Sequence, residues 1–304
     1  MYDVIIIGSG PAGLTAGIYT ARANLKTLCI AGNVWGGQLM QTTLVENYPG
    51  FPEGIQGPDL MMNMRKQAEK MGVEFVDKNV EKINISNLTV DQYSARAIIV
   101  ATGAEFKWLG LPSEQKLIGR GVSACATCDA AFFKDKKVVV VGGGDAAMEE
   151  ALYLTKFASE VTLVHRKDSF RASKVMQDKV FANSKIKIIF NSEVTDVLGE
   201  NKVEGVVINN QGSIINHQCD GLFVAIGHTP ATEIFKGQIE LDVKGYAKKE
   251  QEAKGIFIAG DVHDHLYRQA ITAAGYGCEA ALDAERYLSE NSQHGSETSD
   301  KETK

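Results

Sequence analysis

Residues 2–13 read Tyr2-Asp3-Val4-Ile5-Ile6-Ile7-Gly8-Ser9-Gly10-Pro11-Ala12-Gly13, and this stretch decides the fold of the chain. The apolar run at 2–7 predicts a buried strand, the glycines predict a tight turn, and residues 12–23 predict a helix, with another strand at 26–30. A Gly-x-Gly-x-x-Gly turn between strand and helix is typical of dinucleotide binding, because the pyrophosphate lies at the helix N-terminus. The alternative is a tight turn without a ligand.

The same order of elements returns in the middle of the chain. A strand is predicted at 138–141, a second glycine turn at Gly142-Gly143-Gly144-Asp145-Ala146-Ala147, a helix at 148–157 and a strand at 161–164. Each half also has a later apolar strand that ends in Ala-x-Gly, at 98–103 and 222–227. A late strand and turn at 255–261, followed by a helix at 268–288, is expected to complete the first domain.

These patterns predict an α/β fold with two Rossmann-like dinucleotide-binding domains, the second inserted in the first. We expect the first, discontinuous domain at residues 1–107 plus 241–292 and the inserted domain at 108–240. Residues 293–304 are polar and rich in Ser, Glu and Lys, so a disordered tail is expected there.

The residues after the second strand of each unit distinguish the two nucleotide sites. The first such strand ends Ile30-Ala31-Gly32, without the acid that usually holds a ribose hydroxyl, so Gly36-Gly37-Gln38-Leu39 is expected to hold the ribose instead. The other ends His165-Arg166-Lys167, with Arg171 close behind, and these cations favour the 2′-phosphate of NADP. The alternative is a solvated basic loop. Two nucleotides in one chain indicate that one brings hydride and the other, a flavin, passes electrons to sulfur.

Cys125-Ala126-Thr127-Cys128-Asp129 lies just before the second glycine turn. A disulfide closing so small a ring would stabilise the fold by only roughly 2 kcal/mol. A zinc site needs two more ligands, and the chain has no second Cys-x-x-Cys and only scattered histidines. The pair therefore predicts redox chemistry. Asp129 is expected to donate a proton, because an apolar pocket raises a carboxyl pKa; the alternative is a residue that bonds a backbone N–H at a helix start.

Composition narrows the class of protein further. The chain has 304 residues, 44% of them hydrophobic, and a formal net charge of −6, so a nucleic-acid partner is not expected. No apolar run approaches the length of a membrane span and no targeting segment is evident, so we expect a soluble, cytoplasmic protein. The other three of its five cysteines, Cys29, Cys219 and Cys278, are expected to be small buried hydrophobes.

Together these motifs closely resemble the low-molecular-weight thioredoxin reductases, over about residues 2–288. The resemblance is carried by seven segments: Gly8–Gly13, Gly36–Leu39, Glu46–Gly50, Gly121–Asp129 with the cysteine motif, His165–Ala172, Gly260-Asp261 and Tyr267–Ala270. It implies a homodimer that uses FAD and NADPH to reduce thioredoxin, with no metal. The cysteine motif with its flanks is specific to this family, whereas the glycine turns are shared more widely.

The resemblance also implies the roles of individual residues. FAD would contact Gly8, Gly10, Pro11, Ala12, Gly13, Ala31, Gly32, Gly37, Gln38, Asn47, Val80, Thr102, Gly103, Asp261, Arg268, Gln269 and Ala270. NADPH would contact Gly142, Gly144, Asp145, Ala146, Ala147, His165, Arg166, Lys167 and Arg171. The catalytic residues would be Cys128 against the flavin, Cys125 as the group that attacks thioredoxin, and Asp129 as the proton donor. The inserted domain would rotate during the cycle, because nicotinamide and dithiol need the same flavin face.

Three positions depart from the family pattern. Lys167 stands where Arg is usual, which softens the expected NADP preference. Asp145 stands where Asn is frequent, and its charge is expected to weaken pyrophosphate binding slightly. Ala130 stands where Gly commonly follows the aspartate, which affects the expected flexibility of that loop.

Three competing functions fit the motifs less well. A flavoprotein that feeds a peroxiredoxin carries an extra N-terminal region, for which a first strand at residue 2 leaves no room. A flavin reductase for ferredoxin lacks the dithiol. A redox-regulated protein that binds nucleotides without turnover would keep its flavin oxidised when NADPH is added.

Overall fold

Two runs of β-branched residues form the centres of two parallel sheets in the computed structural model, which describes residues 1–297, with side chains described to residue 291. Val4, Ile5 and Ile6 are fully buried in the first run, as are Val139 and Val140 in the second. Strands buried on both faces are nearly continuous in apolar residues, as these are. The fold is α/β with two Rossmann-like domains, as predicted.

The strands are numbered in chain order. They are β1 (Tyr2–Ile7), β2 (Thr27–Ile30), β3 (Leu44–Val45), β4 (Ile55–Gln56), β5 (Glu74–Val76), β6 (Ile83–Asn84), β7 (Thr89–Val90), β8 (Tyr93–Val100), β9 (Ala104–Phe106), β10 (Val122–Ser123), β11 (Lys137–Val141), β12 (Glu160–Val164), β13 (Ile186–Ile189), β14 (Ser192–Leu198), β15 (Gly205–Asn210), β16 (Ser213–Gln218), β17 (Gly221–Val224), β18 (His228–Pro230) and β19 (Ile256–Ile258).

The α-helices are α1 (Pro11–Arg22), α2 (Gly57–Met71), α3 (Pro112–Lys116), α4 (Ala126–Asp129), α5 (Asp145–Leu154), α6 (Lys174–Phe181) and α7 (Ala270–Glu297). The predicted tail at 293–304 overlaps the end of α7, and residues 298–304 lie outside the part of the chain that the structure describes.

The chain divides into two units. The first unit comprises Met1–Glu105 and the chain from Thr229 onward, and the inserted unit comprises Phe106–His228. The first boundary lies two residues before the expected one. The second lies at 228/229 and not at 240/241, because Phe235 and Ile239 are buried in the core that contains Ile5 and Ile98. Residues 229–240 therefore belong to the first unit.

The main sheet of the first unit has β1 at its centre. β1 pairs in parallel with β2 and β8, and β8 pairs in parallel with β19. α1 and α7 pack on one face, where Ala16, Ala280 and Ala284 are buried. The chain leaves β1 toward β2 on one side while β8 lies on the other, and such a switch point opens a crevice at the carboxyl ends of the strands.

The inserted unit repeats this plan. Its parallel sheet has the order β10-β17-β11-β12-β13, and a second, antiparallel sheet has the order β14-β15-β16. β11 pairs in parallel with both β12 and β17, so the switch point lies at its carboxyl end. Ala126 of α4 and Ala130, which follows α4, share a core with Met148 and Ala151 of α5, and all four are almost completely buried.

Candidate functional site

The turn after β1 places its three glycines in different environments. Gly8 has φ of +108°, and a Cβ there would collide with the Ala101 carbonyl oxygen. A Cβ on Gly13 would collide with the Gly8 carbonyl oxygen, whereas a Cβ on Gly10 would have no heavy atom within 4 Å. Packing therefore requires two of the glycines, and the third leaves room for a ligand.

The N-terminus of α1 is open toward this room. The helix begins at Pro11, no side chain caps it at Gly10, and its first turn contains no acidic residue. Its unpaired N–H groups and the positive end of its dipole make an anion site. Ala12, the next residue, is buried in the core beneath the turn.

The segment after β2 closes over the same turn. The Ser9 hydroxyl donates to the Ala31 carbonyl at 2.8 Å and accepts the Gly36 N–H at 2.9 Å. A Cβ on Gly37 would lie 3.4 Å from Gly10 Cα, so this glycine allows a close approach of the two backbones. The structure thus brings the predicted residues 31–38 to the first glycine turn.

Asp261 follows β19 at the carboxyl edge of the main sheet. Its Oδ1 is buried and has no hydrogen-bond partner. Burial, with a smaller effect of the Asp264 charge, raises the pKa of Asp261 to about 7. A buried acceptor without a donor is costly in a folded protein, which indicates that a ligand group supplies the missing donor.

Asp264 organises the loop between Asp261 and α7. Its carboxylate accepts the N–H groups of Leu266 at 2.9 Å, Tyr267 at 2.8 Å and Arg268 at 3.0 Å. Arg268 is held with φ of +48°, a left-handed conformation that is uncommon outside glycine. The carboxylate therefore fixes the backbone of the predicted Arg268-Gln269-Ala270 run, of which Ala270 is the first residue of α7.

The other predicted residues of the first unit have partners within that unit. Asn47 Nδ2 donates to Gln269 Oε1 at 3.3 Å, Gln38 Nε2 donates to the Ala104 carbonyl, and the Thr102 hydroxyl donates to the Ala231 carbonyl at 2.7 Å. The remaining positions are two glycines with positive φ and one half-buried core residue: Gly32, Gly103 and Val80.

The glycine turn of the inserted unit repeats the first in detail. A Cβ on Gly142 would lie 2.5 Å from the Ala225 carbonyl oxygen and 2.6 Å from the Ala147 Cβ, whereas a Cβ on Gly144 would meet nothing within 4 Å. α5 begins at Asp145, immediately after Gly144, and Ala146 follows in its first turn. The open position is again the second glycine of the motif, at the helix N-terminus.

The basic segment after β12 lies beside this turn. The His165 ring is buried and fills the space that a Gly143 side chain would occupy. Burial lowers the pKa of His165, and its Nε2 has no partner. Arg166, Lys167 and Arg171 are exposed, and no salt bridge among the side chains described for residues 1–291 involves them. These three cations are therefore available to an anionic ligand.

Cys125 and Cys128 are joined by a disulfide, with their Cα atoms 5.3 Å apart. Cys125 is the N-cap of the short helix α4; it is half-buried, and Cys128 is exposed. The Ala126 N–H donates to Glu150 on α5 at 2.5 Å, and the Cys125 N–H donates to the Ser123 hydroxyl at 3.1 Å. The pair is therefore held on a well-packed helix and strand end.

Asp129 is the last residue of α4 and the N-cap residue of the 3-10 turn that follows, but its side chain makes no capping hydrogen bond there. The alternative role of bonding a backbone N–H at a helix start is therefore not what the structure shows. Burial raises the pKa of Asp129, while a hydrogen bond with Ser123 lowers it in part. A carboxyl next to a disulfide and with a raised pKa keeps its proton to a higher pH than an exposed aspartate does.

Comparison with known proteins decides the family. The model of the family described as pyridine nucleotide-disulphide oxidoreductase matches residues 2–277. The chain belongs to this family. Pyridine nucleotide-disulphide oxidoreductases use a flavin and a nicotinamide cofactor, and the chain is an oxidoreductase of this kind.

Three relatives show how close the similarity is. The chain is 55% identical to a thioredoxin reductase of Streptomyces clavuligerus over 301 residues, with 94% of each chain covered. It is 53% identical to a thioredoxin reductase of Rickettsia conorii, with 94% of this chain and 97% of the relative covered. The crystal structure of a thioredoxin reductase from Streptococcus pyogenes superposes with a TM-score of 0.90 at 42% identity, covering 95% and 99% of the two chains.

Some residues that shape the site of this pyridine nucleotide-disulphide oxidoreductase were not predicted. These residues are Asp264, Ser173 and Arg65. Asp264 and Ser173 make hydrogen bonds that involve backbone N–H groups of loops, and Arg65 lies on α2. The Arg65 guanidinium lies over the rings of Trp35 and Phe75, 4.7 and 4.6 Å from their centres, and bonds both oxygens of Asp77. Asp264, three residues after Asp261 in the late turn, is the one that the pattern of a short polar residue before a helix could have revealed.

Two further properties concern the described residues 1–297 of this oxidoreductase. None of its helices there is both long and apolar enough to span a bilayer. Among the side chains that the structure describes, those of residues 1–291, no three from His, Cys, Asp or Glu come together as metal ligands.

Proposed function

We propose that the chain is an NADPH-dependent thioredoxin-disulfide reductase with FAD as its flavin. The observation that carries this proposal is the Cys125–Cys128 disulfide, in one chain with two open glycine turns. Identity of 53–55% to thioredoxin reductases over 94% of the chain supports it.

The residues of the first unit fit FAD. The open N-terminus of α1 at Gly10 suits a pyrophosphate, and the unpartnered Asp261 Oδ1 suits a ribitol hydroxyl that donates to it. We propose that the predicted residues of this unit, from Gly8 to Ala270, hold the cofactor there. In the inserted unit, Gly142, Gly144 and residues 145–147 would face the pyrophosphate of NADPH, and Arg166, Lys167 and Arg171 its 2′-phosphate.

When both are bound, NADPH and FAD supply the hydride-transfer chemistry that ends in two electrons for the disulfide. The chain's own part begins with the reduced pair. The Cys125 thiolate attacks one sulfur of the thioredoxin disulfide, which forms a mixed disulfide and releases the other thioredoxin sulfur as a thiolate that takes up a proton. Cys128 then attacks Cys125 Sγ, which restores the Cys125–Cys128 disulfide and releases the second thioredoxin thiol.

Asp129 is proposed as the group that holds a proton beside the pair. Its raised pKa, caused by burial, keeps a larger fraction protonated near neutral pH than in an exposed aspartate. The protein is further proposed to act as a homodimer in the cytoplasm. The three cysteines outside the pair, Cys29, Cys219 and Cys278, are all free, and free cysteines support a reducing compartment.

Rapid mixing of the purified protein with NADPH and then with oxidised thioredoxin tests the relay. The wild-type protein should be yellow, bleach rapidly with NADPH and reduce thioredoxin. Cys125→Ser and Cys128→Ser should each still bleach but lose thioredoxin turnover by at least about 10³-fold, since a single thiol cannot complete the exchange. Cys278→Ser, outside the pair, is the matched control and should keep full turnover.

Two results would refute the proposal. One is a flavin that stays oxidised with excess NADPH, which would support a binding protein without turnover. The other is full thioredoxin turnover in either variant of the pair.

A further inference from the structure

Asp145 and Ser173 join the beginnings of two helices in the inserted unit. Asp145 Oδ1 accepts the Ser173 N–H at 2.8 Å and the Ser173 hydroxyl at 2.7 Å. Ser173 is the N-cap of α6, yet its side chain makes no capping hydrogen bond to α6 itself. Its hydroxyl is thus directed to Asp145, although serine at this position usually caps its own helix.

The segment that ends at Ser173 is attached to the second glycine turn at two more points. The Arg171 N–H donates to the Gly143 carbonyl at 2.8 Å. The His165 ring fills the space over Gly143 and packs against the buried Phe170, with ring centres 5.5 Å apart. The segment 165–173 therefore contacts the turn 142–145 at its first residue, at Arg171 and at its last residue.

The three exposed cations lie within this attached segment. Arg166 and Lys167 follow the His165 contact, and Arg171 lies between the Phe170 contact and the Asp145–Ser173 hydrogen bonds. Long cationic side chains lose rotamer freedom when they bind a phosphate, and a fixed backbone lowers that cost. The position of the backbone at 171–173 consequently affects how strongly the three cationic side chains bind an anion.

We infer that the Asp145–Ser173 pair positions the basic segment for the 2′-phosphate and so contributes to NADP specificity. The inference rests on the proposed NADPH site and assigns positioning roles to two residues that need not touch the 2′-phosphate. It also changes the expected effect of Asp145. The sequence alone indicates a carboxylate that repels the pyrophosphate, whereas here one of its oxygens is taken up by two donors of Ser173.

Two variants of Asp145 separate its charge from its hydrogen bonds. Asp145→Asn removes the charge but keeps an Oδ1 acceptor for Ser173, and Asp145→Ala removes both. We expect the ratio of NADP⁺ to NAD⁺ affinity, measured by titration calorimetry on the oxidised, FAD-loaded enzyme, to fall about ten-fold in Asp145→Ala and less than about two-fold in Asp145→Asn. Ser173→Ala, which keeps the N–H donor, should lie between them.

A second readout does not depend on nucleotide. Hydrogen exchange in peptides covering residues 168–176 should be faster in Asp145→Ala than in wild type or Asp145→Asn, because the Ser173 N–H loses its acceptor. An equal ratio in the Ala and Asn variants, with unchanged exchange, would overturn the inference while leaving the NADPH site intact. A wild-type enzyme that binds NADP⁺ no better than NAD⁺ would instead refute the NADPH assignment and the positioning role together.

Discussion

Gly10 and Gly13 lie in one turn, but packing constrains only Gly13. A Cβ on Gly13 would collide with the Gly8 carbonyl, whereas a Cβ on Gly10 would meet no atom of the chain. We expect Gly13→Ala to lower the free energy of unfolding by about 2–3 kcal/mol in urea titrations, as overpacking does. Gly10→Ala should cost less than about 1 kcal/mol, since Gly10 already has an extended backbone.

For flavin affinity we expect the opposite order, with Gly10 more important than Gly13. Gly10→Ala should weaken FAD binding by at least about ten-fold while the protein stays folded, because the new methyl group enters the space left for phosphates. Fluorescence titration of the FAD-free protein measures this. Unchanged FAD affinity in Gly10→Ala would show that the flavin lies elsewhere.

Asp261 makes the stability of the FAD-free protein depend on pH. Its pKa is about 7 in the folded chain, against 3.8 as the ordinary value. A raised carboxyl pKa means that folding takes up a proton, so the contribution of Asp261 to stability is complete below about pH 4 and is lost as the pH rises through 7. Urea unfolding of the FAD-free protein should show this loss between about pH 5 and pH 8 in wild type and a smaller one in Asp261→Asn. Equal losses in the two proteins would contradict the assignment.

Individual residues also show what the sequence can reveal. The roles of Gly8 and Gly13 follow from a motif within six positions, and the structure places both as the motif requires. The effect of Asp264 on Arg268, or of Asp145 on Ser173, depends on hydrogen bonds between side chains and loop backbone. Apolar periodicity does not encode those bonds, and only Asp264, a short polar residue before α7, has a local pattern that indicates its role.

At the scale of elements, α2 stabilises the loop that follows β2. Arg65 on α2 stacks on Trp35 of that loop and on Phe75 of β5, and it bonds Asp77 and Glu69. We expect Arg65→Ala to lower the free energy of unfolding by about 1–3 kcal/mol and to weaken FAD binding, because the loop carries Gly37 and Gln38.

Two control variants test whether the effect of Arg65→Ala depends on the geometry of the guanidinium contact and on the position of the arginine. Arg65→Lys keeps the charge but loses the planar stack and the bidentate bond, so it should recover little of the loss. Arg286→Ala removes an exposed arginine from an i,i+3 pair with Asp283 and should change stability by less than about 0.5 kcal/mol. An Arg65→Lys protein as stable as wild type would show that charge alone matters.

Element boundaries were predicted best where pattern and packing agree. The predicted strand at 2–7 matches β1 residue for residue. The predicted helix at 148–157 is displaced from α5, which begins at Asp145 and ends at Leu154. The helix starts earlier because Gly144 is its N-cap, as Gly10 is for α1. The prediction assigns all of residues 142–147 to the turn, whereas the helix already begins within this glycine motif.

At the scale of the whole molecule, each unit has hydrophobic cores of its own. Ile6, Ala16 and Ile99 belong to a core of the first unit, and Val140, Met148 and Phe223 to a core of the inserted unit. The second boundary could not be read from the sequence, because the burial of Phe235 and Ile239 depends on contacts with distant strands. The insertion itself was predictable, because the strand and glycine-turn pattern occurs twice.

Separate cores predict that each cofactor stabilises its own unit. In scanning calorimetry of the FAD-loaded protein, NADP⁺ at about 100 times its dissociation constant should stabilise the inserted unit by about 2.7 kcal/mol. Its transition should move up by roughly 10 °C, since an unfolding entropy of about 2.1 cal/mol/K per residue means that each kcal/mol shifts a unit the size of Phe106–His228 by about 4 °C. Removal of FAD should lower the other transition. A single transition that moves as a whole with either cofactor would contradict this expectation.

The packing of the His165 ring over Gly143 has a consequence for evolution. No side chain fits at position 143 while an imidazole occupies that space, so a lone replacement of the glycine should be rejected by selection. Proteins that acquire a larger residue at position 143 during evolution should lose the imidazole ring at position 165 earlier or at the same time. In a collection of orthologues the two sites should therefore change as a linked pair, although 22 positions of chain separate them.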